Sequence, residues 1–255
     1  MAERTVGLLH PGEMGAAVGA VLRGTGARIR WASEGRSAET RARAEAAGLE
    51  DVGTAAALAA ADVVFSICPP HAALDVARSL GPFEGLYVDA NAVAPATTRD
   101  VAEVVRASGG RFVDGGIVGA PPREAGSTRL YLSGADADEA AELFAGSILD
   151  ARVVSDEVGD ASAVKIAYAA WTKGTAAMLL AIRELAFREG VEAALLAEWD
   201  FSQPELRDRF AQAERSAEAK GWRWVGEMEE IAATFEAAGL PGGFHRAAAE
   251  VYRNR

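Results

Sequence analysis

Between residues 5 and 134, short apolar runs alternate with longer helical patterns, and this alternation limits the chain to very few architectures. The runs at 5–9 (TVGLL), 27–32 (ARIRWA), 62–70 (DVVFSICPP), 85–91 (GLYVDAN), 111–119 (RFVDGGIVG) and 128–134 (TRLYLSG) read as strands. Helical patterns at 13–24, 37–47, 71–79 and 96–108 lie between them, the second with Ser37 as N-cap and Gly48 as stop. Strands that are apolar throughout and separated by helices belong to a parallel sheet buried on both faces. The expected fold class is therefore α/β, a doubly wound parallel sheet.

The pattern changes near residue 155. From Asp160 to Gly190 one long helical stretch runs on, ASAVKIAYAAWTKGTAAMLLAIRELAFREG. The remainder reads as helices broken at Gly190, Pro204, Gly221 and GLPGG (239–243), with no convincing strand. The expected division is 1–154 for the α/β domain and 155–255 for an all-α domain that begins with a long interdomain helix. That helix carries more apolar surface than a short helical domain covers, which points to a homodimer.

Composition narrows the partners. The formal net charge of −11 repels polyanions and argues against nucleic acid or an anionic membrane as a general partner. Cys68 is the single cysteine, so neither an internal disulfide nor a cysteine metal cluster is available, and no His, Asp or Glu set has metal-ligand spacing. The start, MAERTVGLL, has no signal-peptide pattern, and no apolar run approaches the ~20 residues that span a bilayer. A cytoplasmic protein acting on a small molecule is expected.

The stretch GLLHPGEMG (7–15) directly follows the first strand and opens the first helix. A dinucleotide loop needs a tight turn, close backbone approach to the pyrophosphate and close packing of helix on strand. Gly12 and Gly15 meet the second and third needs, while His10 stands where the turn glycine belongs and Pro11 restricts the backbone instead. The bland alternative is an ordinary strand–helix turn. On the dinucleotide reading of this loop, the α/β domain is Rossmann-type. After the second strand comes WASEGRS (31–37), where Ser33, Arg36 and Ser37 suit a 2′-phosphate, and Arg36 offers a planar fork. This favours NADP, with NAD possible through Glu34; the alternative is a solvated turn with a helix cap.

Arginines number 23 and lysines three, Lys165, Lys173 and Lys220, so arginine supplies the generic positive charge and a lysine stands out.

Taken in order, these pieces resemble the 6-phosphogluconate dehydrogenase and β-hydroxyacid dehydrogenase superfamily, to which imine reductases are similar. GLLHPGEMG resembles the family's glycine loop, VDANAVAP (88–95) its substrate segment, FVDGGIVGAPPREAGSTRLYLSG (112–134) its strand–loop–strand, and GDASAVKIAY (159–168) the segment with its catalytic lysine. The tail GEMEEIAATFEAAGLPGGFHRAAAEVYR resembles a phosphogluconate dehydrogenase-like C-terminal domain. The departures are Val118 for a loop serine, Asn91 for a Ser or Asn, Ala169 for an Asn, and Tyr168 for a His.

The resemblance implies an NADP-dependent oxidoreductase that interconverts a hydroxyl and a carbonyl. The alternatives are an imine reductase acting on C=N bonds and a non-catalytic NADP-binding sensor. Expected cofactor residues are His10, Pro11, Gly12, Glu13, Met14, Ser33, Arg36, Ser37, Cys68 and Pro69. Expected catalytic residues are Lys165, as general acid and base, Tyr168 one turn on, and Asn91. Expected substrate residues are Asn91, Val118, Gly119, Ala120, Arg123 and Thr172. Lys173 falls off the Lys165 face and reads as structural or a subunit contact. His245 reads either as a cleft residue or as a cap or core contact.

Overall fold

The computed structural model describes residues 4–254, which form two compact units, one ending at Lys165 and one starting at Ile166. The first is built on eight strands: β1 (Thr5–Leu8), β2 (Arg28–Trp31), β3 (Glu50–Asp51), β4 (Val63–Ser66), β5 (Leu86–Asp89), β6 (Arg111–Gly119), β7 (Thr128–Ser133) and β8 (Asp150–Ser155). They form one sheet in the order β3-β2-β1-β4-β5-β6-β7-β8. Five helices complete the unit: α1 (Glu13–Gly24), α2 (Ala38–Ala46), α3 (Ala73–Ser79), α4 (Pro95–Ala107) and α5 (Ala137–Glu142).

Why the strands read as continuous apolar runs is visible in how neighbours divide. Val63 and Phe65 pack into one apolar layer with Val18 and Leu22 of α1 and Ala140 of α5. Val64 and Tyr87 pack into the other with Ala77 of α3 and Val101 and Val105 of α4. Side chains alternate faces along a strand, so a sheet with helices on both faces demands apolar residues at every position. Each fully buried Leu, Phe or Val contributes about 1.5–3 kcal/mol. Strand order reverses between β1 and β4, and in open α/β sheets the crevice beyond the carboxyl ends of such a pair is where ligands bind.

Three local expectations are corrected. The sheet is not wholly parallel, because β7 runs antiparallel to β6, with Gly119 opposite Thr128. Residues 120–127 between them contain no helix, too short a link for the crossover that a parallel neighbour requires. The strand expected over 62–70 ends at Ser66, and the expected helix over 71–79 is a 3-10 turn (Pro70–Ala72) followed by α3. The edge strands β3 and β8 and the short helix α5 lack the apolar run or periodicity that marks the others, and β8 is largely exposed.

The long helix α6 (Asp160–Arg188) begins within the first unit. The second unit contains the rest of it together with α7 (Glu192–Ser202), α8 (Leu206–Ala237) and α9 (Gly243–Arg253). Ile166, Leu180, Met228, Ile231 and Ala249 form its core. Helices end at Gly190, before Pro204 and at Gly239, as expected. Gly221 does not break α8: it is buried within the helix, facing the Tyr252 ring. A glycine in a helix interior costs about 1 kcal/mol, which the surrounding helix tolerates.

The polar interior of this unit settles two side chains. Lys173 forms a buried ion pair with Glu227, and its ammonium lies 5.5 Å from the Trp224 ring. The Tyr252 hydroxyl donates to the Lys173 carbonyl oxygen at 2.6 Å. Lys173 is thus structural. His245 is a core residue, its ring 4.5 Å from that of Phe235 and seated over Gly174. Among the described residues no helix is long and apolar enough to cross a membrane.

Candidate functional site

The turn between β1 and α1 is closed by its own backbone. Gly12 N–H donates to the His10 carbonyl at 2.8 Å, a three-residue turn around Pro11. Gly15 is obligatory there, since a Cβ would sit 2.4 Å from the His10 carbonyl oxygen. At Gly12 the space is open, the nearest atom to a Cβ being His10 Cδ2 at 4.0 Å. No side chain caps α1, so the N–H groups of its first turn carry no local acceptor. Glu13 is exposed, Pro11 is buried, and Met14 packs against the core.

Arg36 reaches back into this turn. Its Nη1 donates to His10 Nδ1 at 2.7 Å and its Nη2 to the Leu9 carbonyl at 3.3 Å. A guanidinium only donates, so Nδ1 is the acceptor and the His10 proton sits on Nε2. Burial, reinforced by the Arg36 charge, lowers His10 to about 4, which keeps the ring neutral. Ser33 is buried; its carbonyl accepts from Arg41 Nη2 at 2.8 Å, and its hydroxyl is the main cause of a lowered Asp51 carboxyl. Ser37 caps α2, accepting from Thr40 N–H at 3.3 Å.

A second junction ties the ends of β4 and β5. Asn91 is buried, its Oδ1 accepting from Cys68 N–H at 2.6 Å and its Nδ2 donating to Ser66 Oγ at 3.0 Å. Its own N–H donates to Asp89 Oδ1 at 2.9 Å. The amide thus braces the Cys68–Pro69 segment, with both ends engaged inside the protein. Burial raises the Cys68 thiol to about 12, so no thiolate forms near neutrality. Asp89 is pushed up to about 7 by burial, and its Oδ2 has no partner.

The third group surrounds Lys165. Gly116 of β6 lies directly beneath it, for a Cβ at Gly116 would meet the Ala161 carbonyl at 2.6 Å and Lys165 Cβ at 2.9 Å. Burial lowers the Lys165 ammonium to about 8. Near the end of β6, Val118 is buried and brings no polar atom. Gly119 has φ +121°, and a Cβ would strike the Ser127 carbonyl at 2.2 Å. Ala120 is exposed and its carbonyl accepts from Thr128 Oγ1 at 2.5 Å, while Arg123 is exposed in the loop. Tyr168 and Thr172 lie in the second unit; Tyr168 is 47% exposed, and Thr172 Oγ1 donates to its carbonyl at 3.1 Å.

The structure therefore joins His10 to Arg36, Cys68 to Asn91, and Lys165 to the Gly116 strand. Sequence reasoning gave no role to Asp89, Asp114, Ser133, Ser162 or Gly116. For Asp114 a signal was available in VDG (113–115): an aspartate inside an otherwise apolar run is a buried charge that needs partners.

Residues 186–254 match a family described as a domain of unknown function, DUF1932. An uncharacterized 28.5 kDa protein of Methanothermus fervidus is 33% identical over 138 residues, 53% of this chain and 52% of that protein. The chain thus matches about half the length of that relative. Among solved structures, the conserved protein MTH1747, whose structure resembles 3-hydroxyacid dehydrogenases, is 28% identical over 98% of this chain and 96% of its own, with a TM-score of 0.73. The 3-hydroxyisobutyrate dehydrogenase of Salmonella typhimurium is 16% identical over 99% and 94%, with a TM-score of 0.75. A reductive aminase from Aspergillus terreus in complex with NADPH is 16% identical over 99% and 93%, with a TM-score of 0.64. Residues 186–254 thus match the DUF1932 family, and the chain has the fold of the 3-hydroxyacid dehydrogenases.

Proposed function

We propose that this protein is an NADP-dependent oxidoreductase that interconverts a hydroxyl and a carbonyl on a small polar substrate, with Lys165 as general acid and base. The observation that carries the reading is a lysine held at about 8 by burial, in a chain with only two others. At pH 7 its ammonium is mostly charged and gives a proton to an oxygen that takes up a hydride; near pH 8 half of it is neutral and takes the proton back.

The β1–α1 turn fits a dinucleotide. The open face of Gly12 and the uncapped first turn of α1 suit a pyrophosphate. The backbone from His10 to Met14 would hold it, with Cys68 and Pro69 on the nicotinamide side. Arg36, with Ser33 and Ser37, would hold a 2′-phosphate; its Nε–H is buried without a partner, a donor that a phosphate oxygen satisfies. When bound, the nicotinamide supplies or accepts the hydride, and the chain supplies the proton. Asn91 is assigned to bracing the Cys68 segment, and the 119–127 loop with Arg123 to the substrate side. Exposed Trp171, Leu185 and Phe187 of α6 are assigned to a homodimer contact, to be checked by light scattering.

The reductive aminase with this fold supports a second reading, hydride transfer to a C=N bond. NADPH consumption over a panel of aldehydes, keto acids and cyclic imines separates the two. Turnover confined to imines overturns the carbonyl reading. Binding of NADPH without any turnover favours a sensor.

A further inference from the structure

The helix that carries Lys165 is capped from far away. Asp114 of β6 is fully buried and accepts four hydrogen bonds. Its Oδ2 accepts from the N–H groups of Gly159 at 3.1 Å and Ser162 at 2.9 Å, and from Ser133 Oγ at 3.1 Å. Its Oδ1 accepts from Ser162 Oγ at 2.6 Å. Ser133 Oγ in turn accepts from Ala161 N–H at 3.0 Å. Since Ser162 gives its hydroxyl proton to Asp114, Thr98 Oγ1 donates to Ser162 Oγ, 2.8 Å away. The first N–H groups of α6 thus end on side chains of β6 and β7.

A helix needs acceptors for these groups, and a local Ser, Thr or Asp normally supplies one. A local cap stabilises the helix without fixing its height over the sheet. Asp114 does both, because it sits on the strand itself, 48 residues from Ser162 in sequence. Two residues along the same face of β6, Gly116 lets the turn settle until Ala161 and Lys165 rest on the strand backbone. The cap and the glycine are two points of one contact, and Lys165 is one turn beyond the first.

We propose that Asp114 is the positioning residue for Lys165: its carboxylate clamps the first turn of α6 onto β6 and β7, and so fixes where the Lys165 ammonium is presented. The proposal rests on the acid/base reading of Lys165. Burial pushes the Asp114 carboxyl upward, against the four donors that favour its charged form, the Ser162 hydroxyl first.

The test needs no substrate. Lysines are dimethylated with 13C-formaldehyde and titrated by NMR, and the Lys165 signal is the one lost in Lys165→Arg. In the unmodified sequence it titrates near 8. In Asp114→Asn, whose amide cannot accept all four bonds, the midpoint rises by about one pH unit as the lysine reaches water. The Gly159 and Ser162 amides then exchange at least about tenfold faster. Ser162→Ala moves both readouts the same way by less. Should Asp114→Asn fail to fold, Ser133→Ala removes the Ala161 acceptor and carries the same test. Faster amide exchange with an unmoved Lys165 midpoint overturns the proposal. With an active substrate, Asp114→Asn lowers kcat and leaves KM unchanged. Full turnover by Lys165→Ala overturns the acid/base reading separately, because the midpoint does not depend on it.

Discussion

Arg36 Nη1 donates to His10 Nδ1 across 2.7 Å, so the residue read as a phosphate ligand is anchored on the residue that replaces the turn glycine. Burial, with the Arg36 charge added to it, keeps His10 neutral, and the contact holds the guanidinium against the turn. Arg36→Ala is expected to weaken NADPH at least about tenfold more than NADH, the loss of one charge-assisted contact. Isothermal titration with both cofactors checks this, and equal losses would sink the NADP preference. His10→Ala frees the guanidinium and weakens NADPH by a smaller factor.

His10 also gives a pH signature. Its folded value of about 4 lies below the ordinary 6.5, so its contribution to stability is present above 6.5 and is lost as pH falls toward 4. An NMR titration of the ring is expected to show a midpoint near 4. A midpoint near 6.5 means that His10 is neither buried nor held beside Arg36 in solution.

For Lys165→Ala, kcat is expected to fall about 10²–10⁴-fold once a substrate is found, the usual worth of a general acid, with cofactor affinity within twofold. Lys165→Arg is expected to rescue little, because a guanidinium does not release its proton near neutrality. The pH–rate profile of the native chain is expected to show a limb near 8.

Gly116→Ala places a methyl group 2.6 Å from the Ala161 carbonyl and 2.9 Å from Lys165 Cβ, both atoms held by backbone. The expected cost is about 1–3 kcal/mol, as for other overpacked sites, read as a lower Tm, together with lost turnover. Unchanged melting would mean that α6 does not lie on β6 as described.

Asp89 is raised by burial to about 7, above its unfolded value of 3.8. The folded state therefore holds the proton more tightly, and the stability this contributes is present below 3.8 and lost as pH rises through 7. Asp89→Asn cannot ionise. Its Tm relative to the native chain is expected to rise between pH 4 and pH 8, and a constant difference would refute the assignment.

In the second unit, Lys173→Met is expected to cost about 3–5 kcal/mol, since it strands the buried Glu227 carboxylate, and Glu227→Gln is expected to cost less. The double variant is expected to cost clearly less than the sum of the two, as chemical denaturation of the three variants will report.

The sequence by itself determined the strand and helix alternation, the Ser37 cap, the glycine loop and the one notable lysine. Each is a local property: apolar periodicity, a cap residue, a backbone constraint and a composition bias. It also placed Arg36 and Asn91 just after strands, where a doubly wound sheet presents its loops, and Lys165 near the start of the long helix. It did not say what those side chains touch. Asn91, read as a substrate contact, proved to be engaged with Cys68 and Ser66, and Arg36 proved to be tied to His10. The antiparallel β6–β7 pair, the continuous α8 and the cap of α6 by Asp114 and Ser133 were decided by tertiary structure alone. Each joins residues distant in sequence, and a buried carboxylate takes whatever donors packing delivers to it.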